Sequence, residues 1–285
     1  MSTPALDELN YKKAIEFAQL SEIAYEKFEL DDKSLKFKLS EIDYKLEKIF
    51  FSKETDTQAF LAIKERAGVL VFRGTEMEWL DILTDLKATL DLTHEGHAGF
   101  FAGYNSIQQS VGLALDSIDV DELYFIGHSL GGALASAAVL LESNRKITAC
   151  YGFGSPPICT KERASKNKVP FFLFVNQTDV VPRVMIVGIL FSPLILWAMM
   201  LIYQFKASEK LLNFFRIFDD LRGNLDKYSH FDGVYWIGVD GVMGRLKTGD
   251  EVVNLWIQVI WKNYERVFED HKMQNYLIAL RRLMS

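Results

Sequence analysis

The sequence contains little of what marks a disordered, repetitive or disulfide-stapled chain. Its 285 residues include 6 prolines, 18 glycines and 2 cysteines, with no Ser/Gly-rich run and no internal repeat. Low-complexity segments stay unfolded because they cannot bury enough apolar surface to offset the loss of chain entropy. We therefore expect residues 1–285 to fold as one domain, since α/β enzymes of this size commonly form a single core.

The two cysteines, Cys150 and Cys159, are too few for a disulfide framework, and nothing near them has the spacing of a metal site. We interpret both as structural residues. Nucleic-acid-binding proteins neutralise phosphates with clustered Lys and Arg. Here the basic residues are scattered and the formal net charge is -6. The composition therefore argues against a nucleic-acid partner, and we expect no metal and no organic cofactor.

The N-terminus lacks the pattern of an ordinary export signal. Met1 to Glu8 form neither a basic region nor an apolar one, and a signal peptide needs both. On this ground we expect a cytoplasmic protein. Export through a dedicated secretion machine, which needs no such signal, stays open.

Short apolar runs of strand length recur along the chain and alternate with helical patterns. The runs are Lys45–Phe51, Ala59–Ile63, Gly68–Phe72, Glu122–Ile126, Ile147–Phe153 and Phe171–Val175. Apolar residues at helical spacing cover 9–28, 105–116 and 130–141. The first three runs predict a hairpin that leads into a third strand, and the later ones predict a parallel sheet covered by helices. The active site of such a sheet lies at the carboxyl ends of its strands.

A nucleophile motif stands between one of these runs and a helix. Gly127 to Gly131 fits Gly-x-Ser-x-Gly, and it directly follows the run that ends at Ile126. A serine in this sharp turn has a strained backbone, and the flanking residues must be glycines because side chains there would collide. The turn also brings the Leu130 N–H beside the carbonyl that Ser129 would attack, which supplies half of an oxyanion hole.

Four motifs follow one another in order between about Leu61 and Leu280. They are Val71-Phe72-Arg73-Gly74-Thr75, Gly-His-Ser-Leu-Gly-Gly-Ala-Leu-Ala from Gly127, Gly-Phe-Gly-Ser-Pro-Pro from Gly152, and Val-Asn-Gln-Thr-Asp-Val-Val-Pro from Val175. In this order they resemble the class 3 lipases, the fungal-type lipase family of the α/β-hydrolase superfamily. The resemblance implies the α/β-hydrolase fold and a triacylglycerol lipase-like ester hydrolase. It also implies that Thr75 donates to the oxyanion and that Glu76 to Leu86, with Trp79, form a lid.

The position of Thr75 agrees with that role. It follows an apolar run that ends in Gly74, where a backbone N–H would face the same pocket as the N–H of Leu130. Asp81 and Asp85 are placed to orient the Thr75 hydroxyl.

Asp179 is the natural carboxylate partner of a triad. Triads of this fold occur in the chain order Ser, Asp, His. Asp179 lies just past the run Phe171–Val175, at a strand's carboxyl end, and Pro182 prevents a regular continuation of the strand.

The general base must be one of five histidines. His94 and His97 precede the serine, and His128 adjoins it in the strained turn and points elsewhere. The order of the triad therefore leaves His230 and His271. The resemblance separates these two, because His230 lies in a segment similar to one whose histidine leads into a strand without catalytic duty. The segment that contains His271 closely resembles the family's terminal Asp-His-x-x-x-x-Tyr pattern, which implies that His271 is the base.

The predicted activity is cleavage of carboxylic esters through an acyl-enzyme on Ser129, with Asp179 and His271 completing the triad. The resemblance implies acylglycerol or phospholipid substrates. One alternative is a soluble short-chain esterase or thioesterase, which chain-length preference on p-nitrophenyl esters would separate from a lipase. Another is a catalytically silent lipid-binding protein that keeps the fold.

The longest apolar run, Val184 to Phe205, is long enough to span a bilayer, for which about 20 apolar residues suffice. A single crossing would leave Ser129 and His271 on opposite sides of the membrane, and Pro193 interrupts the run. We therefore expect 184–226 to be an apolar helical insertion between the triad Asp and His that acts as a lid or a peripheral membrane-docking element. The alternative is packing against the core or a second subunit, which would make a homodimer.

Overall fold

The structure described below is a computed structural model of the chain. The residues that it describes are 8–75, 96–177, 179, 181–183, 228–229, 231, 233–238, 243–245 and 269–283. The predicted insertion 184–226 and the predicted lid 76–86 lie outside them. Among the helices in the described ranges, none is long and apolar enough to cross a membrane.

Within the described residues, an eight-stranded sheet forms the centre of the fold. In spatial order its strands are β1 (Lys45–Ser52), β2 (Thr57–Lys64), β3 (Ala67–Phe72), β4 (Glu122–His128), β5 (Ala149–Phe153), β7 (Phe171–Asn176), β9 (Val234–Ile237) and β10 (Met243–Arg245). Strands β3, β4, β5, β7 and β9 are parallel, whereas β1, β2 and β10 pair antiparallel with their neighbours. Two further strands of the described residues, β6 (Cys159–Thr160) and β8 (Tyr228–Ser229), form a separate small sheet. The predicted, mostly parallel sheet is confirmed.

Alternate residues of the central strands face two separate cores, as the pleat of a strand requires. In β3, Leu70 and Phe72 belong to one core, and Val69 and Val71 belong to the other. Helices α3 (Ala98–Ser117) and α4 (Leu130–Leu141) cover the first core. Helices α1 (Glu8–Ile23), α2 (Lys33–Ser40) and α6 (Met273–Arg282) cover the second. The strands read as continuous apolar runs because both faces of the sheet are buried.

A short helix, α5 (Lys161–Lys166), lies between β6 and β7. The Thr160 hydroxyl caps it by accepting a hydrogen bond from the Arg163 N–H. Both cysteines are buried, and neither forms a disulfide. Burial raises the pKa of the Cys150 thiol, so this residue is a core side chain, in line with its interpretation from the sequence.

The first helix differs in length from the prediction. Apolar spacing predicted a helix over 9–28, but α1 ends at Ile23 and the chain turns through the next residues. Ala24 and Phe28 are buried all the same, so the apolar pattern continued past the end of the helix. The turn directs Tyr25 toward the site described below.

Candidate active site

The predicted nucleophile occupies the turn between β4 and α4. Ser129 has φ 55° and ψ -128°, a backbone conformation that non-glycine residues rarely adopt. Its N–H donates to the carbonyl of Phe153 on the neighbouring strand over 2.8 Å. A β-carbon at Gly131 would lie 2.4 Å from the backbone oxygen of Phe72. The helix can therefore approach the sheet only because position 131 carries no side chain.

Three polar side chains meet at this turn. His271 Nε2 lies 2.9 Å from Ser129 Oγ, and His271 Nδ1 lies 2.9 Å from Asp179 Oδ2 and 3.0 Å from Oδ1. All three residues are buried, and the carboxyl side chain of Asp179 is fully so. The imidazole thus lies between a hydroxyl and a carboxylate, with one ring nitrogen toward each.

The Asp179 carboxylate is held by donors from two further parts of the chain. The Val181 N–H donates to Oδ1 over 2.9 Å, and the Tyr276 hydroxyl donates to Oδ2 over 2.5 Å. A buried carboxylate needs such donors because losing water without them is costly. Gly154, with φ +60°, lies against the same group: a β-carbon there would be 2.7 Å from Asp179 Oδ2. This close approach explains the glycine in the motif that begins at Gly152.

The loop that carries His271 is fixed through its backbone. The Asn176 side-chain amide donates to the Asp270 carbonyl over 3.0 Å. His128 Nε2 lies 2.7 Å from the carbonyl oxygen of His271 itself. Helix α6 begins two residues later, at Met273, and brings Tyr276 to the carboxylate.

The predicted oxyanion residues lie at the same end of the sheet as the serine. Leu130 is the first residue of α4 and partly buried. Thr75 lies shortly after the end of β3. The segment that leads to it packs on Gly131, because a β-carbon at Gly131 would lie 2.9 Å from the Gly74 nitrogen. Trp79, Asp81 and Asp85, which we associated with Thr75, lie outside the described residues.

The other histidines have different positions. His97 is the residue before α3, and its ring centroid lies 4.4 Å from that of Phe100. His94 and His230 lie outside the described residues. His128 does point away from the serine hydroxyl as expected, but it points at the backbone of His271. Sequence reasoning gave no role to His128, and gave Tyr276 none beyond its place in the terminal pattern.

No cluster of three or more His, Cys, Asp or Glu residues that could hold a metal ion occurs within the described part of the chain. The polar groups at the site are those of nucleophilic catalysis: a hydroxyl, an imidazole and a carboxylate in series. On a mostly parallel sheet covered by helices, with the serine in a strained turn after a strand, they define a serine ester hydrolase with the α/β-hydrolase fold.

Comparison with known proteins narrows this class. Residues 69–188 match the family model described as lipase (class 3). The matched range contains Thr75, Ser129 and Asp179. The similarity to the class 3 lipases therefore extends over the predicted oxyanion residue, nucleophile and triad carboxylate.

Solved structures of fungal lipases share the fold. A lipase from Rhizopus microsporus var. chinensis is 25% identical, with a TM-score of 0.53, over 64% of this chain and 70% of that one. The Rhizomucor miehei triacylglyceride lipase is 19% identical, with a TM-score of 0.55, over 83% of each chain. The Lip2 lipase from Yarrowia lipolytica is 18% identical, with a TM-score of 0.54, over 83% of this chain and 82% of that one.

Proposed function

We propose that this protein hydrolyses carboxylic esters of acylglycerols or phospholipids, with Ser129 as the nucleophile, His271 as the general base and Asp179 as its orienting carboxylate. The observation that carries the proposal is the continuous hydrogen-bond chain from Ser129 Oγ through both ring nitrogens of His271 to Asp179. Such a chain can move the hydroxyl proton to the imidazole as the oxygen attacks.

The first half of the reaction uses the serine and the histidine. Ser129 Oγ attacks the ester carbonyl carbon while His271 Nε2 takes its proton, and the carbonyl oxygen becomes an oxyanion. When the oxyanion collapses, the bond to the leaving alcohol breaks and the same nitrogen returns the proton to that alcohol. Water then repeats the sequence on the acyl-enzyme, releasing the fatty acid and restoring Ser129.

Asp179 stabilises the imidazolium that forms in each half-reaction. Its carboxylate faces His271 Nδ1 and keeps the proton on that nitrogen, which leaves Nε2 free to act as a base. The donors Val181 N–H and Tyr276 hydroxyl hold the carboxylate in place.

The oxyanion is assigned to the backbone N–H groups of Leu130 and Thr75, with the Thr75 hydroxyl as a further donor. Leu130 begins α4, so the partial positive charge of that helix end also favours the developing negative charge. The packing of the β3 end on Gly131 supports placing Thr75 beside this helix end.

A lipid substrate is supported by the family and by the sequence of the insertion. The Rhizomucor miehei relative is a triacylglyceride lipase, and the run from Val184 to Phe205 offers apolar side chains to an acyl chain or a lipid surface. We propose that the protein is cytoplasmic and docks peripherally on membranes through 184–226. Packing of this segment in a homodimer is the competing arrangement.

The substrate proposal is tested by chain length. Purified protein should hydrolyse p-nitrophenyl palmitate presented in micelles faster than soluble p-nitrophenyl butyrate, and should release fatty acid from triacylglycerol or phospholipid emulsions. Ser129→Ala protein serves as the control for contaminating esterases. A preference for butyrate with no release from emulsions would identify a soluble short-chain esterase instead.

A further inference from the structure

A second hydrogen-bond chain ends on His271, at its backbone carbonyl. Tyr25 Oη lies 2.6 Å from His128 Nδ1, and His128 Nε2 lies 2.7 Å from the carbonyl oxygen of His271. A carbonyl can only accept, so His128 Nε2 carries a proton and donates it. In this neutral tautomer Nδ1 is an acceptor, and the Tyr25 hydroxyl is its donor. The direction of each hydrogen bond in the chain is thereby fixed.

His128 is suited to this arrangement because it stays neutral. It is buried, and its ring centroid lies 4.8 Å from that of His271. Burial, together with the neighbouring His271 imidazole, lowers the pKa of His128 to about 3. When His271 takes the serine proton, no second positive charge therefore lies beside it.

Tyr25 also contacts the segment that leads to Thr75. A β-carbon at Gly74 would lie 2.4 Å from Tyr25 Oη and 2.6 Å from the His128 carbonyl oxygen. The phenol oxygen is therefore packed directly on the Gly74 backbone, and the glycine of the Arg-Gly-Thr motif provides the space for it. The chain thus connects the turn after α1 and the end of β3 to the loop of His271.

We propose that Tyr25 and His128 are positioning residues that hold the main chain of His271 so that its Nε2 stays aligned with the Ser129 hydroxyl. The inference rests on the proposed function, because it takes His271 as the base. Asp179 fixes the rotation of the imidazole ring, whereas the bond from His128 fixes the backbone from which that ring projects. Misalignment of the imidazole slows proton transfer without changing ester binding. We therefore expect the loss of this hydrogen bond to lower kcat and to leave KM unchanged.

The first test is Tyr25→Phe, which removes the hydroxyl and keeps the ring that packs edge-on against His128. We expect kcat for p-nitrophenyl butyrate to fall roughly five- to tenfold, the kinetic equivalent of one neutral hydrogen bond, with KM and the melting temperature nearly unchanged. The matched control is Tyr104→Phe, whose hydroxyl donates to Glu142 in the other core; it should lower stability and leave kcat unchanged. Wild-type kcat in Tyr25→Phe would overturn the proposal.

The second test replaces His128. Gln offers an amide N–H that can reach the same carbonyl, and it has no tautomers. We therefore expect His128→Gln to retain kcat to within about threefold. His128→Leu has no donor, and its kcat should fall about tenfold or more. Because Gln needs no partner to fix its protonation, adding Tyr25→Phe to His128→Gln should have little further effect. If Tyr25→Phe reduces kcat by the same factor in both backgrounds, the chain does not act through His128. The Tyr25 and Gln variants suffice for this test if the Leu variant does not fold.

Failure of the proposed function would give a different result. Wild-type protein without any Ser129-dependent ester hydrolysis would refute the assignment of His271 as a base, and the positioning role with it. An active wild type with an equally active Tyr25→Phe variant would refute the positioning role alone.

Discussion

Hydrogen-bond donors from separate parts of the chain fix two acceptors at the site, the Asp179 carboxylate and the backbone carbonyl of His271. Val181, Tyr276 and His271 all donate to the Asp179 carboxylate, and His128 donates to the carbonyl of His271. A buried acceptor that has its donor is held in one orientation, whereas one that loses it costs about 1–3 kcal/mol. The side chains of the candidate triad are therefore held in place by hydrogen bonds from residues outside the triad.

The two histidines that the triad order left open can be separated by substitution. We expect His271→Ala to lower kcat by on the order of 10³-fold or more with the fold intact, because triad members act as a unit. His230→Ala should instead change stability or expression and keep most of its turnover. Steady-state kinetics with circular dichroism on both variants makes the comparison. A well-folded, inactive His230→Ala beside an active His271→Ala would reverse the assignment.

At the residue scale, sequence reasoning named the three side chains that the structure brings together, and it missed the residues that hold them in place. Ser129 and Asp179 follow apolar strands in a recognisable order, and resemblance to a terminal motif pointed to His271. The pairing of Tyr25 with His128 joins residues from the turn after α1 and the end of β4. No local pattern encodes such a pair, because it depends on how distant elements pack.

At the scale of elements, the site depends on how closely α4 approaches the sheet. The apolar runs predicted the strands well because buried parallel strands carry continuous apolar sequence. Helix α2 was not predicted, since only Leu35 and Leu39 of its residues are buried and its pattern is otherwise polar. The strands β9 and β10 are short, and short runs give weak periodicity.

Two glycines in neighbouring helices should respond in opposite ways to alanine. Gly131→Ala should destabilise the protein by about 3 kcal/mol or more, because the new β-carbon would lie 2.4 Å from backbone oxygen of Phe72, which cannot move aside. Gly112→Ala in α3 should stabilise it by about 0.5–1 kcal/mol, since the nearest atom is 3.5 Å away, on the Arg145 side chain, and alanine favours helix.

Urea denaturation of both variants measures the difference in the free energy of unfolding. Equal stabilities for Gly131→Ala and wild type would show that α4 does not pack against β3 as closely as described.

At the scale of the whole molecule, the sheet brings together a serine, an aspartate and a histidine that are far apart in the chain. Ser129 follows β4, Asp179 follows β7, and His271 precedes α6. Their direct hydrogen bonds place all three on one side of any membrane. A single membrane crossing between Asp179 and His271 is incompatible with these hydrogen bonds.

Peripheral docking through this segment is tested by substitution of Leu194, Leu196 and Trp197 with Ser. We expect the triple variant to bind liposomes more weakly and to lose turnover of long-chain esters while it keeps turnover of short soluble ones, because apolar area buried in the lipid interface drives binding. The control replaces the exposed apolar residues Leu30, Phe37 and Leu113 with Ser and should leave binding unchanged. Unchanged liposome binding in the first variant would point to a buried or dimeric segment.

The measurement that tests the central claim most directly is covalent labelling of the purified protein with a fluorophosphonate, followed by mass spectrometry of the labelled peptide. A serine activated by His271 should be phosphonylated stoichiometrically at Ser129, with ester hydrolysis lost in proportion. Ser129→Ala protein should neither label nor hydrolyse esters, and its melting temperature should stay close to that of the wild type. Labelling retained in Ser129→Ala, or mapped to another residue of an active wild type, would contradict the account.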